Sequence, residues 1–164
     1  MGMDTVAFAT AHEVFEAYVA EAEECECPGW SVRLVAAHVI GTDRLLTETA
    51  ARILFGTKLM YGKPATYDAE FLGSDAYLRA IADSIGDRCA LVDELRRSRS
   101  ALVAIVSQLS VSDGATAVPA RIVDGRRVLV DGPVPFVALL QTHAGVHIPA
   151  HALEVAERAF TRSA

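Results

Sequence analysis

The sequence predicts an all-α protein, a four-helix bundle with a small β-hairpin before the last helix. Three observations support this fold class. Four long segments carry apolar residues at helical spacing, two β-branched runs flank an Asp-Gly pair, and Pro or Gly stands at most of the breaks. The chain has 164 residues, the size of one ordinary domain, and no composition shift marks a linker. We therefore expect a single domain over residues 1–164.

The first helix is predicted over Asp4–Glu24. Its apolar residues recur at intervals of three and four, as on one face of an amphipathic helix: Phe8, Ala11, Phe15, Tyr18 and Ala22. Pro28 disfavours helical geometry at the residue before it, and Gly29 permits a turn, so the helix is expected to end before them.

The second helix is predicted over Val32–Leu54, with Ser31 as its N-cap. Helical periodicity lapses from Phe55 to Gly73, where several Gly residues and Pro64 occur. A connection of this length is often used to cover a site, so this segment is predicted to be a loop or lid.

Another helix is predicted to begin at Ser74-Asp75 and to break near Ser84–Gly86. Apolar periodicity then resumes and runs to about Ser110, which predicts the third long helix.

A β-hairpin is predicted over Ala120–Val130, because Asp124-Gly125 between β-branched runs favours a type I′ turn. The last helix is predicted to extend to about Phe160, with Pro135 in its first turn.

Composition and charge exclude several function classes. The net charge of −6 disfavours a nucleic-acid partner, and the longest apolar runs are far shorter than the ~20 residues of a membrane span. Three cysteines without a secretory leader favour a reducing, cytoplasmic location. The expected partner is a small molecule. A homodimer is also predicted, because a composition that is 52% hydrophobic can leave one helix face uncovered.

Four histidines lie in apolar stripes, His38 in the second helix and His143, His147 and His151 in the last. On a helix the outer two of the last three lie within about 40° of His147. Imidazoles four residues apart can bind one ion, and neutral imidazole suits zinc, nickel, copper or iron. His38 would complete a three-ligand site, with either the 143/147 pair or the 147/151 pair. The alternative is a set of core histidines satisfied by hydrogen bonds.

Other polar residues receive more ordinary interpretations. Cys25 and Cys27 lack a second cysteine pair and are assigned a structural or incidental role. His12 is interpreted as a surface residue, and Asp43 either caps, bridges or is solvated. Glu154 either orients a ligand imidazole or pairs with Arg158. The hairpin arginines are expected to be ordinary surface residues: Arg121, Arg126 and Arg127.

Two segments resemble the DinB-like (YfiT-like) putative metalloenzyme superfamily, which includes the N-terminal domain of mycothiol-dependent maleylpyruvate isomerases. The first runs from Trp30 through His38 to Asp43 and is similar to the family's tryptophan, helix start, metal histidine and Gly-x-Asp. The second, Leu139–Glu154, resembles its closing His-x-x-x-His-x-x-Glu helix.

The resemblance implies a four-helix fold and a divalent metal, zinc or nickel, held by His38, His147 and His151. His143 then lines the pocket or supports a ligand. The implied activity is that of an S-transferase or isomerase that uses a low-molecular-weight thiol, such as mycothiol or bacillithiol, on a small electrophile. Catalytic residues and the residues that bind the thiol are not indicated.

Pro149 departs from the family pattern, because it lies between two of the implied ligands and predicts a kink there. It motivates an alternative function, a non-catalytic protein that binds a small molecule or forms a dimer and has a lost or altered metal site.

Overall fold

The computed structural model describes residues 5–22, 29–56, 66–124 and 126–160. Long helices dominate these ranges, and a small sheet precedes the last helix, so the predicted fold class is confirmed. In chain order the elements are α1 (Val6–Glu21), α2 (Val32–Phe55), β1 (Tyr67–Asp68), α3 (Ala69–Leu72), α4 (Asp75–Ile85), α5 (Arg88–Val106), α6 (Val111–Gly114), β2 (Ala117–Asp124), β3 (Arg127–Pro135), α7 (Phe136–Thr142) and α8 (Ile148–Phe160). A π-helical segment, His143–His147, joins α7 to α8.

The ends of α2 follow from local chemistry. The Ser31 side chain accepts a hydrogen bond from the Leu34 amide, which satisfies one of the unpaired donors of the first turn. Gly56 ends the helix in the left-handed conformation, with φ of 56°, which glycine adopts without a steric penalty. The predicted N-cap is confirmed, and the helix ends one residue beyond the predicted end.

The core lies between the four long helical segments. Helix α1 packs against α5 and α8, and α2 packs against α4, α5 and α8. Phe15, Ile40, Leu95 and Phe136 are fully buried among these helices. Burial of one such side chain contributes about 1.5–3 kcal/mol relative to leaving it exposed. This packing places the first half of α2 opposite the segment around His147.

The hairpin is longer than predicted and has a third strand. Strands β2 and β3 pair antiparallel, and β1 pairs parallel with β2. The predicted loop over Phe55–Gly73 is therefore wrong in its second half, which forms β1 and α3; residues 57–65 lie outside the described residues. Gly125 of the predicted type I′ turn also lies outside them.

Two predicted boundaries of helices can be compared directly. The break near Ser84–Gly86 is confirmed, because α4 ends at Ile85 and α5 begins at Arg88. Pro135 is not in the first helical turn as predicted. It ends β3 and stands before Phe136 as the N-cap of α7, because its ψ of 134° is extended.

The kink expected at Pro149 takes the form of the π-helical segment just before it. The amide of Ile148 donates to the carbonyl of His143, five residues back. Pro149 has no amide hydrogen, and its ring would crowd the carbonyl of Gly145 in a regular α-helix. The wider turn accommodates this proline without ending the helix.

Within the described ranges, no helix is both long enough and apolar enough to cross a membrane.

Gly41 allows α2 and α4 to approach closely. A Cβ atom at this position would lie 2.8 Å from Tyr77 Cε1 and 3.0 Å from Ile81 Cδ1. We expect Gly41→Ala to lower the free energy of unfolding by about 1–3 kcal/mol, because overpacking outweighs the gain in helix propensity. The measurement is urea denaturation.

Gly145→Ala is the matched control, since a Cβ at this helical position meets nothing within 4 Å. We expect it to be neutral or stabilising by up to about 1 kcal/mol. Equal stability of the two variants would contradict the role assigned to Gly41.

Candidate metal centre

His38 lies in the second turn of α2 and is 7% exposed. Its Nδ1 lies 2.9 Å from the carbonyl oxygen of Leu72, at the end of α3. A carbonyl only accepts hydrogen bonds, so Nδ1 carries the proton and donates it. The Nε2 atom of His38 therefore presents a lone pair to the space between α2 and the last helix.

His147 faces that lone pair from the π-helical segment. Its Nε2 lies 2.8 Å from Nε2 of His38, and the two rings meet edge to face. His151, one turn later in α8, is partly exposed, and its ring centroid lies 5.0 Å from that of His38. One ligand atom from each of the three histidines lies within 4.8 Å of the others. The structure thus brings together the three residues that the family resemblance implied as metal ligands.

Polar and aromatic neighbours fix the orientation of His151. Its Nδ1 lies 2.9 Å from Oε2 of Glu154, and the other carboxylate oxygen of Glu154 accepts from Arg158. Both contacts expected of Glu154, with an imidazole and with Arg158, are therefore present at once. The indole of Trp30 lies tilted against the ring of His38 and stacks on that of His151, with centroids 5.1 and 6.2 Å away. Trp30 forms one wall of the site.

His143 belongs to a second cluster. Its Nε2 lies 2.8 Å from Oδ1 of Asp43, which also lies 3.2 Å from Nε2 of His12. The Ser98 hydroxyl donates to Oδ2 of the same carboxylate at 2.8 Å. His12, Asp43 and His143 form the other described group whose ligand atoms lie within 4.8 Å of one another.

The interpretation of His12 as a surface residue was wrong, because its side chain is fully buried. The glutamates beside it in sequence are typical of an exposed position. Its spacing instead places it on the apolar face, because it follows Phe8 by four residues and precedes Phe15 by three. Asp43 is not solvated either. It is buried and bridges α2 to α1, α5 and the π-helical segment, and it lies between Val39 and Leu46 at the same spacing.

Burial and neighbouring side chains shift the pKa values of the groups in the site. Burial lowers the pKa of His38 from 6.5 to about 4, and it also lowers the pKa values of His143 and His147. For Asp43, burial alone would raise the pKa, but contacts with His12 and His143 outweigh burial and lower this pKa from 3.8 to about 2. At neutral pH three imidazoles are therefore neutral and Asp43 is ionised.

Among the residues that the structure describes, the remaining candidates take no part in either cluster. Arg121 pairs on the surface with Glu70 and Asp131, which agrees with its ordinary interpretation. Cys89 is exposed and free, whereas Cys25 and Cys27 lie outside the described residues.

An apolar cavity of about 390 Å³ lies between the start of α1, the end of α5, and α7 with the π-helical segment that follows it. Phe8 lines the cavity, and its ring also contacts His12 and His143. The metal-ligand candidates themselves do not line it.

The family model described as mycothiol maleylpyruvate isomerase N-terminal domain matches residues 8–131, well over half of the chain. The chain belongs to this family. The family is part of the DinB-like superfamily, so the resemblance noted from the sequence is confirmed. The match to the mycothiol maleylpyruvate isomerase N-terminal domain includes His38 and Asp43 and ends before the last helix. No curated protein and no solved structure matches the chain.

Membership of the mycothiol maleylpyruvate isomerase N-terminal domain family suggests isomerase-like chemistry linked to mycothiol. The buried histidine and aspartate groups supply donor atoms that suit a metal ion.

Proposed function

We propose that the chain is a metal-dependent enzyme that transfers or isomerises a small electrophile with a low-molecular-weight thiol. His38, His147 and His151 are the proposed ligands of a divalent ion, zinc or nickel. One observation supports this proposal above the others: three imidazoles converge, and each has a polar partner at Nδ1. This arrangement leaves Nε2 of each ring for an ion, and metal-bound histidines almost always have such a partner at the other nitrogen.

The donor set fits such an ion. Neutral imidazole nitrogen is a preferred ligand of zinc and nickel, and the low pKa of His38 keeps its ring neutral well below pH 7. Two nitrogens bound to one tetrahedral zinc lie about 3.3 Å apart. The Nε2 atoms of His38 and His147 lie 2.8 Å apart, so a widening of about 0.5 Å suffices.

The surrounding residues orient the three imidazoles so that a bound ion could also take a ligand from outside the protein. The Leu72 carbonyl orients His38, Glu154 orients His151, and Trp30 covers one side. Three protein ligands leave a coordination position for an outside group, as in catalytic rather than structural zinc sites. A bound divalent ion would lower the pKa of a thiol and so supply the thiolate, the reactive nucleophile. The family name makes mycothiol the first thiol to test.

The test combines metal analysis with turnover. Protein purified without chelator is expected to contain about one zinc or nickel ion per chain by elemental mass spectrometry. With mycothiol, it is expected to convert maleylpyruvate or a chromogenic aryl halide, to lose that activity after dialysis against chelator, and to regain it with one equivalent of metal. Absence of an ion even after metal soaking would contradict the proposal, as would turnover that survives chelation.

A second candidate function is the binding of a small apolar molecule without catalysis. The cavity of about 390 Å³ favours it, since small-molecule sites commonly enclose ~300–1,000 Å³ and are lined mainly by apolar side chains. Thr5 and Gln141 are its polar lining residues. This candidate would be supported if the chain bound no metal but did bind an apolar fluorescent probe. The variant Ala144→Phe, which places a larger side chain in the cavity, would then be expected to lose the probe.

A further inference from the structure

A continuous line of side-chain contacts joins the proposed metal ligand His147 to the buried carboxylate of Asp43. Nδ1 of His147 lies 2.8 Å from Nδ1 of His143, and Nε2 of His143 lies 2.8 Å from Oδ1 of Asp43. Asp43 is fully buried and His143 is 1% exposed. Because bulk water does not reach Asp43 or His143, both nitrogens of His143 depend on these two contacts for their hydrogen bonds.

The hydrogen-bond roles along this line follow from proton counting. A neutral imidazole carries one proton, and a carboxylate only accepts. If an ion occupies Nε2 of His147, the proton of that ring is on Nδ1 and is donated to His143. Nδ1 of His143 is then the acceptor, its own proton is on Nε2, and it is donated to Asp43. This assignment satisfies all four nitrogens with every ring neutral.

The same proton positions follow when the count starts at Asp43. An ionised Asp43 requires a donor at Nε2 of His143, which leaves Nδ1 of that neutral ring as an acceptor. The proton of His147 is then held on Nδ1, and its Nε2 lone pair points at the lone pair of His38. Two acceptors 2.8 Å apart need a cation between them, either a metal ion or a proton shared by the two rings. The buried cluster and the three-histidine site therefore demand the same tautomer of His147.

We propose that Asp43 and His143 are positioning residues that hold His147 as the Nδ1–H tautomer, with its Nε2 directed at the metal. This inference rests on the proposed metal site. Asp43 acts through His143 and touches no proposed ligand itself. Ser98 holds the other oxygen of the carboxylate, and His12 contacts the same oxygen as His143. Loss of such an outer partner typically lowers metal affinity 10- to 100-fold.

The test compares two buried histidines that contact the same oxygen of Asp43. His143→Phe removes the link to His147, whereas His12→Phe removes a neighbour of Asp43 that contacts none of the three proposed ligands. With Zn²⁺ as the probe, in competition with a chromophoric chelator, His143→Phe is expected to lower affinity 10- to 100-fold and His12→Phe less than about threefold. His143→Gln is expected to restore part of the affinity, because its amide accepts and donates.

A spectroscopic readout needs no variant. In zinc-loaded protein labelled with ¹⁵N-histidine, long-range ¹H–¹⁵N spectra are expected to show His147 bound through Nε2 with a proton on Nδ1. They are expected to show the proton of His143 on Nε2. A proton on Nδ1 of His143, or equal losses of affinity in His143→Phe and His12→Phe, would overturn the inference even if His143→Phe folds poorly.

The outcomes separate this inference from the proposed function. A wild type that binds no zinc contradicts the metal site itself and the inference with it. A wild type that binds one zinc, with affinity unchanged in His143→Phe, contradicts the inference alone. Two zinc ions per chain would make His12, Asp43 and His143 a second metal site and would also overturn it.

Discussion

His147→Ala is expected to lower zinc affinity by about 10³-fold or more and to abolish thiol-dependent turnover. His147 is the central member of the three-histidine site, since its Nε2 lies 2.8 Å from that of His38 and its ring contacts that of His151. Loss of a direct ligand should cost more than the 10- to 100-fold that loss of an outer partner costs. Elemental mass spectrometry after gel filtration should find far less than one ion per chain.

A variant without cysteines is the necessary control for this experiment, because cysteine thiolates bind zinc adventitiously. A variant with serine at Cys25, Cys27 and Cys89 should keep about one ion per chain if the histidines hold it. Retention of the ion in His147→Ala together with its loss in the cysteine variant would show that the site was assigned to the wrong residues. Circular dichroism should show that both variants remain folded.

Asp43→Leu is expected to lower the free energy of unfolding of the metal-free protein by about 3–5 kcal/mol. The carboxylate of Asp43 is fully buried and contacts His12, Ser98 and His143. Leucine keeps much of the volume but leaves these polar groups without their shared partner, and each buried unsatisfied group costs about 1–3 kcal/mol. Urea denaturation gives the difference; a loss of less than about 1 kcal/mol would contradict this account.

The pH dependence of stability checks the same carboxylate through its charge. The pKa of Asp43 is lowered from 3.8 to about 2 in the folded protein, which corresponds to roughly 2–3 kcal/mol. A lowered pKa stabilises the fold above the unfolded value, and this contribution is lost as pH falls from about 4 towards 2. The stability difference between wild type and Asp43→Asn should therefore be largest near pH 5–7 and shrink below pH 4.

Local patterns predicted most of the helical scaffold because its helices carry their own start and stop residues. Ser31 caps α2, and Gly86 separates α4 from α5, so chemistry within a few residues determined these ends. The third strand was not predicted, because Tyr67–Asp68 pairs with Ala120–Arg121, more than fifty residues away. Two residues show no strand pattern of their own, and only the distant partner makes them a strand.

The candidate site was predictable where several histidines shared one helix face. Spacing alone left the choice between His143 and His151 open, and the family resemblance favoured His151. The structure separates the two by their partners, Asp43 for His143 and Glu154 for His151. His12 was missed, and Asp43 was left open between capping, bridging and solvation, because each was judged by its sequence neighbours or in isolation. Their pairing depends on how α1 and α2 pack, which no local pattern contains.

The π-helical segment allows the last helix to tolerate a change in its own length. A hydrogen bond that reaches five residues back encloses one residue more than the α-helical bond, so the segment holds the equivalent of one inserted residue. Deleting one residue between His143 and His147 would allow α-helical bonding to return, and the residues downstream would keep nearly the same faces towards the bundle. The same deletion within α8, where the bonding is already α-helical, would turn every later residue by about 100°. The wider turn therefore lets the spacing between His143 and the later histidines vary while His151 stays opposite α2.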